Sequence, residues 1–187
     1  MPQTNDDRSG APSHIYYYSI GTGTWRGRFS FRIRSWIALW RGDARLVHKL
    51  LALAMVVSQR LLGESRLYSQ IKPKPDEGPF GIAENTVKLS RLGVTLYLLR
   101  ETYVLDPDGR RVTVKAWERF GPIPYILVRT FTYPAEIHAD GMASTYHMPL
   151  LGTQWTATYQ VSDDRERLSG VLRCEWAEAK ETARRER

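Results

Sequence analysis

Between Thr24 and Trp36 the chain reads TWRGRFSFRIRSW, and no other stretch restricts the fold as strongly. Trp25, Gly27, Phe29, Phe31 and Ile33 alternate with Arg26, Arg28, Ser30, Arg32 and Arg34. A period of two is the repeat of an extended strand, whose side chains leave on opposite faces. One face is aromatic and seeks burial. The other is a row of guanidinium groups that needs water or acids. The strand must therefore belong to a sheet with one dry side and one wet side.

A different period follows. From Asp43 to Leu62 apolar residues recur at three-to-four spacing: Leu46, Val47, Leu50, Leu51, Ala54, Met55 and Val57, extended by Leu61 and Leu62. Arg45, His48, Lys49, Ser58 and Gln59 fill the other face. With Asp43 as N-cap and Gly63 just past the end, the pattern predicts one amphipathic helix over about 43–62. Beyond it the chain reads as short strands separated by turn signals. These are Arg66–Ile71, Ala83–Leu89, Val94–Leu105, Arg111–Phe120, Ile126–Tyr133, Ile137–His138, Met142–Met148, Thr153–Val161 and Leu168–Ala177. Asp106-Pro107-Asp108-Gly109 and Ala139-Asp140-Gly141 read as hairpin turns. Lys72-Pro73-Lys74-Pro75 and Gly121-Pro122-Ile123-Pro124 read as extended linkers.

No strand–helix alternation appears, so the sheet is antiparallel. About eight to ten strands joined by hairpins must hide their edges, and closure into a barrel does so completely. A two-sheet sandwich is the competing solution. The 187 residues suit one domain over 15–178, flanked by a polar mobile tail at 1–14 and a charged tail at 179–187. Cys174 is the only cysteine, which removes a disulfide scaffold. The first 14 residues lack the apolar stretch of a secretory leader, so a cytoplasmic location is expected.

The formal charge is +7 and is unevenly placed. Residues 26–49 hold seven cations against Asp43 alone, an excess of six. Three roles compete for this stripe. It can pair with acids of a neighbouring strand, attract an anionic ligand or an acidic protein, or approach an anionic membrane beside the helix. Nucleic acid is disfavoured, because the interleaved aromatics face the core and not the patch.

Gly21-Thr22-Gly23-Thr24-Trp25-Arg26-Gly27 resembles the Gly-x-Trp signature that opens the first strand of lipocalins and their calycin relatives. The helix directly after that strand resembles the helical insertion that lids the fatty-acid-binding proteins. The resemblance implies an up-and-down barrel around a small-molecule cavity. It also implies an Arg near the last strand packed over Trp25, for which Arg173 is the candidate. The lack of a leader and of disulfides implies an intracellular, bacterial-type member. Similar barrels in natural-product pathways act as cyclases or isomerases, and others as carriers.

Candidate site residues follow from strand faces. Trp25, Phe29, Tyr146, Met148, Trp155 and Trp176 would form an aromatic, sulfur-bearing interior, either a filled core or a ligand cavity. Glu118 shares a face with Val112, Val114 and Ala116. Glu101 shares one with Tyr97, Leu99 and Tyr103. An acid on an apolar face is costly unless paired or protonated. Each is therefore either a working carboxyl or one that reaches water. Glu118, Tyr103 and Tyr159 are the candidate catalytic groups, able to polarise a carbonyl or protonate an oxygen, and Glu101 a ligand contact. No serine elbow, phosphate loop or dinucleotide fingerprint is present, and Cys174 lacks a base. The four histidines do not converge with acids into a metal site. The expected function is cofactor-independent cyclisation or isomerisation of an apolar polyketide- or terpenoid-like substrate, driven by shape and exclusion of water. A lipid or hydrophobic-ligand carrier docking on anionic membrane is the alternative, and a homodimer is a further candidate assembly.

Overall fold

A computed structural model describes residues 22–42, 44–74, 82–105, 111–121, 128–138, 140–149 and 151–187. The expected tail at 1–14, the Asp43 cap and the Asp106–Gly109 turn lie outside these residues. Ten strands form: β1 Gly23–Ile33, β2 Ser65–Lys74, β3 Ile82–Arg91, β4 Val94–Leu105, β5 Arg111–Phe120, β6 Val128–His138, β7 Gly141–Met148, β8 Thr153–Val161, β9 Arg167–Arg173 and β10 Ala177–Arg185. Each pairs antiparallel with its chain neighbour, and β1 pairs with β10, so the sheet closes into a barrel. This is the up-and-down, calycin-like architecture expected from the strand pattern.

β1 behaves as its alternation dictates. Trp25, Phe29 and Phe31 are buried inside. The arginine row faces out and is paired: Arg26 grips Glu186 through Nε and Nη2, Arg28 lies 3.9 Å from Glu64, and Arg32 is 2.7 Å from Glu178. Glu178 also meets Arg173 and Lys180. Burial alone would raise its pKa, but these cations outweigh that and hold it below the ordinary carboxylate value.

Four expectations change. First, the expected last strand Leu168–Ala177 ends at Arg173, and Ala177–Arg185 is a further strand where a charged tail was expected. Its outward Glu178, Lys180 and Arg184, with Glu186 just past its end, are the charges that disguised it, while Ala177, Ala179 and Ala183 pack inside. Second, the expected strands at 126–133 and 137–138 are one strand, β6. Pro134, which cannot donate to a ladder, sits between the two expected pieces. It lies where pairing with β7 ends, at Ala135–Ser144, a position that proline tolerates. Third, the arginine over Trp25 is Arg185, at 5.8 Å from the ring, and not Arg173, which is bound to Glu178. Fourth, a short helix, α1 (Trp36–Arg41), precedes the main helix α2 (Leu46–Leu62). Ser35 caps α1 by accepting from the Ala38 N–H.

The orientation of α2 also departs from the expected one. Leu46, Val47, Leu50, Val57, Leu61 and Leu62 are exposed. The side facing the barrel carries Ala52, Leu51, Met55, Ser58 and Gln59, and Gln59 Oε1 accepts the Phe31 N–H at 2.7 Å. The backbone N–H of a β1 residue wanted an acceptor, and a polar helix face supplied it.

Closure depends on close approach at Gly27. A Cβ there would lie 1.9 Å from the Thr182 carbonyl oxygen and 2.5 Å from the Ala183 Cα. Gly27→Ala should therefore lower the unfolding free energy by about 1–3 kcal/mol, as overpacking does. Urea titration followed by tryptophan fluorescence checks this, and unchanged stability would show that the seam has slack.

Candidate functional site

The barrel is not completely filled. It encloses a cavity of about 130 Å³, the scale of an engineered cavity that holds a benzene ring. Phe29, Tyr146, Met148, Trp155 and Tyr159 line it, as the strand faces indicated. Met55, Ser58 and Gln59 of α2 also line it, so the helix forms part of the wall. Trp25 and Trp176 do not reach it. Trp25 lies under Arg185. Trp176 packs edge-on against Phe31 and Trp155, at centroid distances of 6.4 and 5.9 Å.

Glu101 and Tyr103, neighbours on one face of β4, both point inward. The Glu101 carboxylate accepts from Tyr103 Oη at 2.7 Å, Tyr133 Oη at 2.5 Å and Asn85 Nδ2 at 2.9 Å. Asn85 is held in turn by Ser69, whose hydroxyl donates to Asn85 Oδ1 at 3.0 Å. Burial of Glu101 is thus made tolerable by three donors, and the outward, water-reaching alternative does not occur. Tyr103 spends its proton on Glu101. The expected role of Tyr103 as a free donor to a ligand is therefore already occupied.

Glu118 is wholly buried and accepts from Tyr97 Oη at 2.9 Å. It is not among the cavity-lining residues, and it bears on the site through Tyr97, which does line it. Around Glu101 the aromatic wall is a stack: Tyr133 and Tyr146 lie at 4.3 Å and 21°, and Phe131 lies at 5.9 Å from Tyr146. It stands where the β6–β7 ladder has ended, so ring contact replaces backbone bonding between those strands. The Tyr97, Tyr133, Tyr146 and Tyr159 phenols are all pushed up, first by burial and then by nearby carboxylates. They remain protonated donors at any physiological pH.

The residue that the sequence reading missed is Glu181. It was assigned to a tail, yet β10 turns it into the cavity. The signal was present: Ala177, Ala179, Glu181 and Ala183 alternate with larger polar residues. Glu181 pairs in register with Gly170 on one side and Phe29 on the other, and Gly170 pairs with Tyr159. A Cβ on Gly170 would come within 2.7 Å of the Tyr159 ring and 3.4 Å of Glu181 Cβ. The missing side chain lets the phenol ring and the acid approach each other. Among the described residues Glu181 has no hydrogen-bond or ion-pair partner. Burial, and secondarily the charge of Glu101, push its pKa from 4.5 up to about 7.

Cys174 is half-buried outside this cavity, with its thiol pushed up by burial. A scan against protein-family models and a search of curated proteins each find no match to the chain.

The Glu181 pKa is higher in the folded chain than in the unfolded one, so its ionised form opposes folding. The penalty is absent below about pH 4.5, grows to about pH 7 and is complete above that. Glu181→Gln should therefore stabilise the protein by roughly 2–3 kcal/mol at pH 8 and leave it almost unchanged at pH 4. Urea unfolding of both proteins across this range checks the sign, and a pH-independent difference would contradict it.

Proposed function

We propose that this barrel is a lipocalin-like small-molecule-binding protein whose interior performs cofactor-independent acid–base chemistry, in the manner of a cyclase or isomerase. The observation that carries the reading is Glu181, an unpartnered carboxyl on the wall of an apolar cavity, with a pKa of about 7. A group of that pKa gives and takes protons at neutral pH with little driving force wasted. Tyr159, across the Gly170 gap, is the donor best placed to share a ligand oxygen with it. The aromatic wall would hold the substrate and keep water out. The proton transfers asked of Glu181 call for no cofactor. The volume favours a compact substrate, one ring or a short chain, over an extended polyene.

A generic probe tests this without knowledge of the substrate. Ring opening of 5-nitrobenzisoxazole requires only removal of a carbon-bound proton by a base. The wild-type protein should accelerate it with a rise through pH 7, and Glu181→Gln should lose about 100-fold of that acceleration. Equal rates in the two proteins would overturn the catalytic reading.

A carrier that docks on anionic membrane is the second reading, and one observation favours it. Trp36, Ile37 and Trp40 of α1 and Leu46, Val47, Leu50, Val57, Leu61 and Leu62 of α2 are exposed beside Arg41, Arg45 and Arg60. Among the described residues no helix is long and apolar enough to cross a membrane, so such contact would be interfacial. The arginines of β1 are committed to acids, so the helices would carry the contact. Vesicles of phosphatidylglycerol should then retain the protein, and Leu50→Glu with Leu61→Glu should release it. Retention unchanged by both substitutions would exclude the helices.

A further inference from the structure

Arg91 ends β3 and turns into the cavity beneath α2. It is 7% exposed. Its Nη1 donates to Ser58 Oγ of α2 and its Nη2 to Ser65 Oγ of β2, each at 2.8 Å. Its Nε has no partner. Among the described residues it forms no ion pair. Two serine hydroxyls can satisfy donors, but being neutral they cannot balance a charge. A buried guanidinium whose hydrogen-bond partners are all neutral is among the costlier arrangements in a protein interior. Burial accordingly lowers its pKa.

The tether to Ser58 could in principle serve only to fasten the helix. A neutral amide such as Gln59, whose Oε1 already accepts the Phe31 N–H, performs that task without the cost of a charge. What a guanidinium adds is a forked set of donors matched to a planar anion. The remaining ionisable groups on the wall, apart from the phenols, are Glu101 and Glu181, both acids. Glu101 is held by its own three donors and not by Arg91, so among the described residues Arg91 is the one cation on the wall, and a single carboxylate is the anion that its fork matches.

We infer that the natural ligand is a carboxylic acid, bound as a monoanion with its carboxylate on Arg91, Ser58 and Ser65 and its apolar body against the aromatic wall. This rests on the reading of the interior as a ligand site and specifies the class of molecule it takes. The carboxylate anchors the ligand under the helix, and the far part of the ligand is presented to the groups on the strands.

Isothermal titration with matched probes tests the assignment: octanoate and 4-phenylbutyrate against octan-1-ol and 4-phenylbutan-1-ol. A charge-assisted pair should make the acids bind wild-type protein at least about tenfold tighter than the alcohols. Arg91→Met should abolish that preference by weakening the acids, with alcohol affinity held within about threefold. Circular dichroism verifies that the variant is folded. If it is not, Ser58→Ala with Ser65→Ala should narrow the preference instead. Equal affinity for acids and alcohols in the wild-type protein, or a preference that survives Arg91→Met, overturns the carboxylate assignment while leaving the cavity reading intact. No binding of either class overturns the cavity reading and this assignment together.

Discussion

The ladder between β1 and β10 turns an open sheet into a barrel, and the interior depends on it. Nine register pairs, from Trp25–Arg185 to Ile33–Ala177, join the two strands. Without them both edges would expose unpaired backbone groups and the aromatic row of β1 would face water. The same ladder sets Glu181 beside Phe29 and lays Arg185 over Trp25. Gly27 permits the approach, and the outer salt bridges of Arg26 and Arg32 to β10 and the segment after it strap the seam from the solvent side. One pairing thus closes the fold and builds one wall of the cavity.

Inside that wall, three ionisable side chains share a small apolar chamber and are treated differently. Glu101 is saturated by three donors and is part of the architecture. Glu181 has none, and its high pKa expresses the cost. Arg91 has neutral partners only. A stable core would have used apolar residues in the last two positions. Their retention in a lined cavity separates a scaffold from a site, because a bound molecule can supply the missing partners.

Legibility in the sequence followed the strength of the local pattern. The period-two run of β1 located the strand, its inner face and the arginine exterior. The hairpin spacing led to a closed antiparallel barrel. Local pattern was weak where tertiary contact reversed its meaning. β10 carries so many charges that its buried alanine row was hidden. The two pieces of β6 were not joined in the sequence, because the tolerant place of Pro134 at the end of the β7 ladder is not a local property. The apolar stripe of α2 was only partly legible: Leu51 and Met55 turn inward, but Ser58 and Gln59, polar by composition, are drawn inward beside them by Arg91 and the Phe31 backbone.

The same division runs through the site. Alternation alone indicated Phe29, Tyr146, Met148, Trp155, Tyr103 and Tyr159 as inward-facing, since side-chain direction in a strand is a local geometric fact, and it left Glu101 between the interior and water. It could not say that Glu118 would be taken up by Tyr97, that Tyr103 would be taken up by Glu101, or that Glu181 would stand free beside a gap left by Gly170. Those outcomes depend on residues distant in the chain that meet only when ten strands close in one register. The sequence by itself determined the walls of this protein. The register of closure decided which groups on those walls were left without partners.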